Sequence, residues 1–249
     1  MVLYGWLIKI KMKYIAYLLR RASELMVMRV FNVTMACCLL LISLTACNEE
    51  RIVDSKTTPI LPEVEVKQGM ETITYQLDGM DETFNTKLGG KLVLSELNEP
   101  PKRGDVVYYK TPPLNVEHVF QNVNPGWKPP IYDIARIVAL PEESIMIRDG
   151  QVYIDEKKLD TFYGKALMWG QGEESYFNNL NKPGSGVCDS DCQKSMTKYF
   201  HMDMPEIKIP AGHVFLLGDT WARSVDSQTY GPIAIDQIER VIIGRERKP

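Results

Sequence analysis

Cysteine and histidine side chains are the first candidates for chemistry in this 249-residue chain, since both bind metals and cysteines also form disulfides. Cys188 and Cys192 stand four residues apart in Cys-Asp-Ser-Asp-Cys, which suits a local disulfide or two thiolate ligands. A zinc site needs about four ligands, and the histidines, His118, His201 and His213, lie outside ligand spacing of this pair. The pattern therefore favours a disulfide, leaves a metal site as the alternative, and predicts no cofactor.

A further cysteine, Cys47, ends an uncharged segment that begins at Val30. Residues 35–44 are almost wholly apolar, which is too short for a membrane span of about 20 residues but typical of a secretory signal. The segment ends in Leu44-Thr45-Ala46-Cys47, which resembles the lipobox of bacterial lipoproteins. In that family the cysteine sulfur is acylated and the chain is cut just before it. The alternative is a short buried helix or a poor transmembrane segment.

The lipobox resemblance implies a cellular location for the whole chain. Residues 1–47 are predicted to be a leader, and Cys47 is predicted to hold a lipid in the cell membrane, with the body on the extracytoplasmic face. Residues 48–62 are polar and contain two prolines, which predicts a flexible tether. An oxidising location further favours the disulfide between Cys188 and Cys192.

The charge distribution argues against a nucleic-acid partner. Residues 1–47 carry six basic residues and one acidic residue, so the remainder holds 23 basic and 31 acidic residues. Affinity for nucleic acid comes from neutralising phosphates with lysine and arginine. An acidic body is a poor match for that task, so no nucleic-acid partner is expected.

Residues 63–249 show the alternation of half-buried strands rather than helical periodicity, and they predict a mainly β, antiparallel domain. Asp149-Gly150 suits the tight turn of a hairpin. The predicted strands are Thr72–Leu77, Lys91–Leu97, Asp105–Lys110, Tyr132–Leu140, Ser144–Arg148, Gln151–Ile154, His213–Leu217 and Arg240–Gly244.

Residues 159–209 interrupt this pattern with glycine, asparagine, serine, charges and several aromatic residues. The stretch is too long for a plain loop, so it is predicted to be an inserted cap stapled by the Cys188–Cys192 pair. Its aromatic side chains are expected to form a small core of the cap itself. The alternative is a surface for a peptide or membrane, because tryptophan and tyrosine favour boundaries between water and apolar phases.

Three segments, in the same order and at similar spacing, resemble stretches of the type I signal peptidases. These segments are Lys102–Val107, Arg136–Glu142, and the run from His213 through Gly218-Asp219 and Arg223-Ser224-Val225-Asp226-Ser227 to Tyr230-Gly231-Pro232. The resemblance implies an antiparallel β-fold built around a serine–lysine dyad. In such a dyad a buried lysine with a lowered pKa accepts the proton of the serine that attacks the peptide bond.

Carried over residue by residue, the resemblance places Gly79 at the position of the nucleophilic serine and Ala135 at that of the lysine. Neither side chain can attack a carbonyl or accept a proton, so no catalytic residue is expected. Ser224 matches the family serine that hydrogen-bonds the lysine, and Asp226 is also retained. Without a lysine to orient, both residues are expected to serve the fold.

The leading hypothesis is therefore a noncatalytic, membrane-anchored signal peptidase I-like protein. It could still hold signal-peptide-like segments as an added β-strand, the mode used by the family's enzymes. The alternative is an active signal peptidase I, a serine endopeptidase that processes exported preproteins, with a rescued pair such as Thr83 with Lys87 or Ser224 with Lys165. A third hypothesis is a structural surface lipoprotein without a groove.

Overall fold

The computed structural model describes residues 50–75, 78–80, 91–113, 129–180, 182 and 188–247. The predicted leader with Cys47, the pair Thr83 and Lys87, and His118 lie outside the described residues. The strands are β1 Arg51–Ile52, β2 Glu63–Val64, β3 Thr72–Thr74, β4 Lys91–Ser95, β5 Val106–Lys110, β6 Tyr132–Ala139, β7 Ser144–Arg148, β8 Gln151–Ile154, β9 Lys157–Leu159, β10 Met204–Lys208, β11 His213–Leu217, β12 Ile233–Ala234 and β13 Ile238–Glu246. The helices are α1 Glu173–Leu180, α2 Ser190–Phe200 and α3 Ser227–Tyr230.

The first sheet positions the predicted site and has the strand order β12-β11-β6-β5-β13-β4-β3, with β2 added in parallel along β13. Its other pairings are antiparallel, as predicted. Strand β6 lies in the middle, and seven of its eight residues are buried, because both faces of the sheet are covered here. One face of β6 packs with Val107, Val214 and Leu216, and the other with Phe215 and Leu217.

The second sheet has five strands in the order β1-β9-β8-β7-β10. Its central hairpin turns at Asp149 and Gly150, whose φ angles of 51° and 68° fit the tight turn predicted from this dipeptide. A side chain at position 150 would collide with the Phe200 carbonyl oxygen at 1.9 Å, so the close approach of α2 to the turn requires glycine.

The segment predicted as a flexible tether, residues 48–62, is bound to the body over its described part. Strand β1 runs parallel to β9, and Asp54 accepts a hydrogen bond from the Tyr163 hydroxyl at 2.8 Å. Residues 50–62 therefore make strand pairings and hydrogen bonds to the body where the sequence predicted a flexible tether. The polar composition of the segment gave no sign of this pairing, because β1 joins the edge of the second sheet through its backbone groups.

The predicted cap, residues 159–209, is less separate than expected. Its ends belong to the second sheet, since Leu159 closes β9 and β10 pairs with β7. Between them lie α1 and α2, and the N-cap of α2 is Asp189, whose carboxylate accepts from the Cys192 amide at 2.9 Å. The aromatic residues pack into the core of the second sheet rather than into a core of their own: Phe162, Tyr163, Trp169, Tyr176, Tyr199 and Phe200.

Cys188 and Cys192 lie at disulfide-bonding distance at the start of α2, with their Cα atoms 5.2 Å apart. In the part of the chain that the structure describes, histidine, cysteine and carboxylate side chains nowhere gather into a group that could hold a metal ion. Within the same residues, no helix has both the length and the apolar character needed to cross a membrane.

Candidate functional site

Gly79, the position matched to the nucleophile, lies directly against the loop that carries Ser224. The Gly79 carbonyl accepts hydrogen bonds from the Thr220 amide at 2.9 Å and from the Ser224 hydroxyl at 3.2 Å. A Cβ atom built on Gly79 would lie 2.6 Å from Ser224 Oγ and 3.2 Å from the Arg223 carbonyl oxygen. The Ser224 hydroxyl therefore takes up the space in which a nucleophilic side chain would begin.

A second glycine makes this contact possible. A Cβ atom on Gly218 would lie 1.7 Å from Ser224 Oγ and 2.7 Å from the Gly79 carbonyl oxygen. Any side chain at Gly218 would thus separate the two segments, because real Cβ atoms do not approach other atoms this closely. The hydroxyl proton of Ser224 is directed at two carbonyl oxygens, those of Gly79 and Thr220, the latter at 3.1 Å.

Ala135, the position matched to the lysine, lies on β6 opposite Val107 of β5 and is 1% exposed. Leu217 of β11 pairs with Arg136 of β6, and the two strands are antiparallel. The residues that come next beyond this pair are Gly218, after β11, and Ala135, in β6. Because side chains alternate between the faces of a sheet, Ala135 and a side chain at Gly218 would point to the same side. The contacts therefore gather Gly79, Gly218 and Ser224 at one place, and the register directs Ala135 to the same side of the sheet.

The described residues bring no lysine to this place. All described lysines are exposed except Lys158, which is half-buried and belongs to β9 of the second sheet. Lys165, considered above as a partner of Ser224, is exposed, and its backbone bridges Gln151 of the second sheet. An amine needs burial to act as a base at neutral pH, and these side chains lack it.

Asp226 is buried below the loop and holds backbone groups in place. Its carboxylate accepts from the Gly218 amide at 2.9 Å and from the Gln228 amide at 3.0 Å, so it also caps α3. Burial raises the pKa of Asp226 to about 7, although these hydrogen bonds act in the opposite direction. The contacts of Ser224 and Asp226 are those of residues that shape a turn.

A second buried carboxyl group on this face was not found by the sequence reasoning. Asp133 of β6 is 7% exposed and accepts a hydrogen bond from the Tyr75 hydroxyl at 2.5 Å. Burial raises the pKa of Asp133, against the effect of that hydrogen bond. The signal that could have revealed it is an acidic residue near the start of the predicted strand Tyr132–Leu140, which is apolar apart from this residue and Arg136.

The opposite face of β6 carries a buried ion pair. The Arg136 guanidinium donates to both carboxylate oxygens of Asp219 at 2.7 and 2.6 Å, and to the Gly104 carbonyl at 2.8 Å. Rings from the predicted cap cover it, with the Phe162 centroid 4.9 Å and the Tyr163 centroid 5.4 Å from the guanidinium carbon. This pair links β6 to the end of β11 within the first sheet, inside two of the segments that resemble the signal peptidases.

The first half of β6 also has a free side. Residues 132–135 pair with β5, but the partner on the other side, β11, reaches only Arg136, Ile137 and Ala139. Among the described residues, no strand pairs with residues 132–135 on that side. Ile131 and Tyr132, which lead into this stretch, are 70% and 39% exposed.

Comparison with known proteins agrees with this pattern of segments. The family model described as signal peptidase, peptidase S26, matches residues 27–247. Signal peptidase I V of Bacillus subtilis (strain 168) is 25% identical over 179 residues, covering 70% of this chain and 85% of that protein. Signal peptidase I of Rickettsia prowazekii (strain Madrid E) is 29% identical over 141 residues, which is 51% of this chain and only 45% of its own length.

A solved structure, the signal peptidase I of Enterococcus faecalis V583, is 20% identical and superposes with a TM-score of 0.36, covering 58% of this chain and 97% of that one. The family model spans far more than half of the sequence, and it includes all the segments that form the site described above. The chain therefore belongs to the signal peptidase family, peptidase S26.

Proposed function

We propose that this protein is a noncatalytic, membrane-anchored member of the signal peptidase family that binds extended, signal-peptide-like segments. The observation that carries the proposal is the pair Gly79 and Ala135 at the positions matched to the serine and the lysine. Peptide hydrolysis by this family's chemistry needs a hydroxyl group to attack and an amine to accept its proton. A hydrogen atom and a methyl group supply neither.

The packing around these positions supports the loss of catalysis. At Gly79, the Ser224 hydroxyl lies where the first carbon of a side chain would stand. At position 135, the alanine is enclosed by Val107, Ile137 and Leu216 within one apolar cluster. A lysine would need space that these side chains now fill.

The free side of β6 supports the binding role. A strand with an unpaired side can accept an extended peptide through main-chain hydrogen bonds, and the adjacent surface then selects alternate side chains. Residues 132–135 lack a described strand partner on one side, although the Ile134 amide donates to the Asp133 carboxylate and residues 133–135 are buried. The exposed Ile131 and Tyr132 at the start of this stretch offer apolar contact. This mode of binding requires neither the hydroxyl nor the amine.

The membrane anchor is proposed to be a lipid on Cys47. It rests on the lipobox-like sequence Leu44-Thr45-Ala46-Cys47 at the end of the apolar segment. Incorporation of radioactive palmitate into the expressed protein, and its loss in Cys47→Ser, tests the anchor. Equal labelling of the two proteins would contradict it.

The second candidate function is an active signal peptidase I, which family membership favours. It requires another hydroxyl group and another amine, and Thr83 with Lys87 are the remaining candidates. This candidate predicts that the wild-type protein cleaves a preprotein after small residues and that Thr83→Ala abolishes cleavage. The noncatalytic proposal predicts no cleavage by either protein.

Peptide titration tests the binding role. The probe is a fluorescent peptide with an apolar stretch followed by Ala-Gln-Ala, and the control is the same peptide with alternate backbone nitrogens methylated. Strand addition predicts saturable binding of the first peptide and at least tenfold weaker binding of the second, because methylation removes main-chain donors. Absence of saturation at millimolar concentration, or equal affinity for the two peptides, would contradict strand addition.

A further inference from the structure

Helix α1 is held on the body by few contacts. It has eight residues, none of which is buried. Its apolar contacts include the rings of Tyr176 and Phe177, which lie 5.7 and 6.4 Å from the Phe200 ring. An isolated helix of this length is unstable in water, so each contact with the body matters for its position.

One polar contact joins the first turn of α1 to two other elements. His201, which caps the end of α2, places Nε2 at 2.9 Å from the Glu173 carboxylate and Nδ1 at 2.5 Å from the Asp149 carboxylate. Glu173 begins α1, and Asp149 lies in the turn of the β7–β8 hairpin. A single imidazole thus bridges a helix start, a helix end and a hairpin turn.

Two of these three elements are fixed to each other by the backbone. The Gly150 amide donates to the Met202 carbonyl at 2.9 Å, and the Asp149 amide donates to the Asp203 carboxylate at 2.8 Å. The end of α2 and the hairpin therefore stay together whatever the state of the histidine. Helix α1 lacks this backbone link, so it is the element that the imidazole positions.

Both ring nitrogens face carboxylate oxygens, which only accept hydrogen bonds when ionised. A protonated imidazole donates to both, whereas a neutral imidazole donates to one and turns a lone pair toward the other. We propose that His201 is a pH-sensitive latch, which holds α1 on the body while its imidazole is protonated and loosens that helix when the proton is lost.

The charges around the ring set the direction of the switch. Hydrogen bonds to Asp149 and Glu173 raise the pKa of His201 above its ordinary value of 6.5. Asp203, bonded to the Asp149 amide, adds negative charge from the chain after α2, and Lys198 in the last turn of α2 is the nearest basic residue in sequence. Because the latched state holds the proton more tightly, the latch is closed below pH 6.5 and opens as the pH rises through the raised pKa.

Hydrogen exchange of the full chain in detergent, followed by mass spectrometry across pH 5.5–9, tests the latch. After correction for intrinsic exchange rates, we expect the protection factors of the amides of residues 173–180 to fall about two- to fivefold as the pH rises. This fold-change corresponds to the stabilisation that exposed ion pairs typically give. His201→Gln should show the low protection at every pH, and Glu173→Gln should show a reduced change. The matched controls are His213→Gln and Glu174→Gln, which should behave like the wild type.

A second measurement on the wild type avoids any dependence on folding of the variants. The His201 ring-proton resonance, identified by its loss in His201→Gln, should titrate with a midpoint above 6.5. A midpoint at or below 6.5 would overturn the latch. Protection of residues 173–180 that does not change with pH in the wild type, or that keeps its pH dependence in His201→Gln, would also overturn it.

Discussion

The two faces of strand β6 differ in what they have kept from the family to which the chain belongs. On one face, Arg136 and Asp219 form a buried, fully hydrogen-bonded ion pair inside the segments that resemble the signal peptidases. The other face carries Ala135, which the sequence resemblance matches to the family's lysine, as it matches Gly79 to the serine. The first face thus carries a polar ion pair, and the two matched positions carry no polar side chain.

On the noncatalytic proposal, the architecture of the sheet does not depend on the dyad. Arg136 pairs with both β5 and β11, although position 135 carries only a methyl group. Ser224 and Asp226 remain on the reactive face, but they bond to backbone groups of the loop.

The largest expected effect comes from breaking the ion pair between Arg136 and Asp219. Arg136→Met leaves the Asp219 carboxylate buried without its guanidinium, which should lower the free energy of unfolding by about 3–5 kcal/mol. Arg223→Met, which removes an exposed pair with Asp78 at 2.8 Å, is the control and should cost about 0–1 kcal/mol. Urea denaturation at pH 7 measures both. An equal loss of unfolding free energy in the two variants would contradict the stabilising role of the Arg136–Asp219 pair.

The next effect concerns the buried carboxyl group of Asp226. The pKa of Asp226 is raised from 3.8 to about 7, so the folded state binds a proton that the unfolded state has released. The free energy of unfolding is therefore expected to fall as the pH rises from 4 to 7, with the contribution of Asp226 fully present below pH 3.8 and lost through about pH 7. We expect the Asp226 carboxyl to lower the free energy of unfolding of the wild type by on the order of 2–4 kcal/mol between pH 4 and 7, and Asp226→Asn should lack this decrease.

Urea denaturation between pH 4 and 8 measures the Asp226 contribution as the difference between the variant and the wild type. The exposed Asp236 offers a matched control, since Asp236→Asn should leave the shape of the profile unchanged. If the Asp226→Asn profile ran parallel to that of the wild type, the buried carboxyl would not be the group that titrates.

A smaller effect tests the contact between Gly79 and Ser224. Gly79→Ala places a methyl carbon 2.6 Å from Ser224 Oγ, and such overpacking costs about 1–3 kcal/mol. In a Ser224→Ala background the cost should fall to less than half, because the clashing oxygen is gone. A double-mutant cycle in urea measures this coupling. Gly172→Ala, where the added carbon meets no atom within 4 Å, is the control, and additive effects at positions 79 and 224 would contradict the contact.

The sequence predicted the strands well because the alternation of apolar residues is a local signal. The predicted strand Ser144–Arg148 has the same bounds in the structure, and Tyr132–Leu140 differs by one residue. Helices α1 and α2 were missed because they are short, and their polar composition blurs the helical period. Strand β1 was missed because its two residues form a strand only through pairing with β9, which lies more than 100 residues away.

At the candidate site, the sequence could propose positions but not the contacts they make. The match to the family gave Gly79 and Ala135, since it depends only on order and spacing. The 2.6 Å approach of Ser224 to Gly79 and the Tyr75–Asp133 bond join distant segments, and no local pattern encodes such contacts. The same holds for the His201 contacts with Asp149 and Glu173.

The central claim, that the reactive face lacks the groups for hydrolysis, is tested most directly by a cleavage assay on a labelled preprotein. The wild-type chain is assayed beside Gly79→Ser/Ala135→Lys/Ser224→Gly, in which the third change makes room for the new serine, and beside a working signal peptidase I. We expect no cleavage by the wild type at enzyme concentrations where the working peptidase completes the reaction. Cleavage by the wild type that is lost when one of its own hydroxyl residues is replaced would contradict the claim.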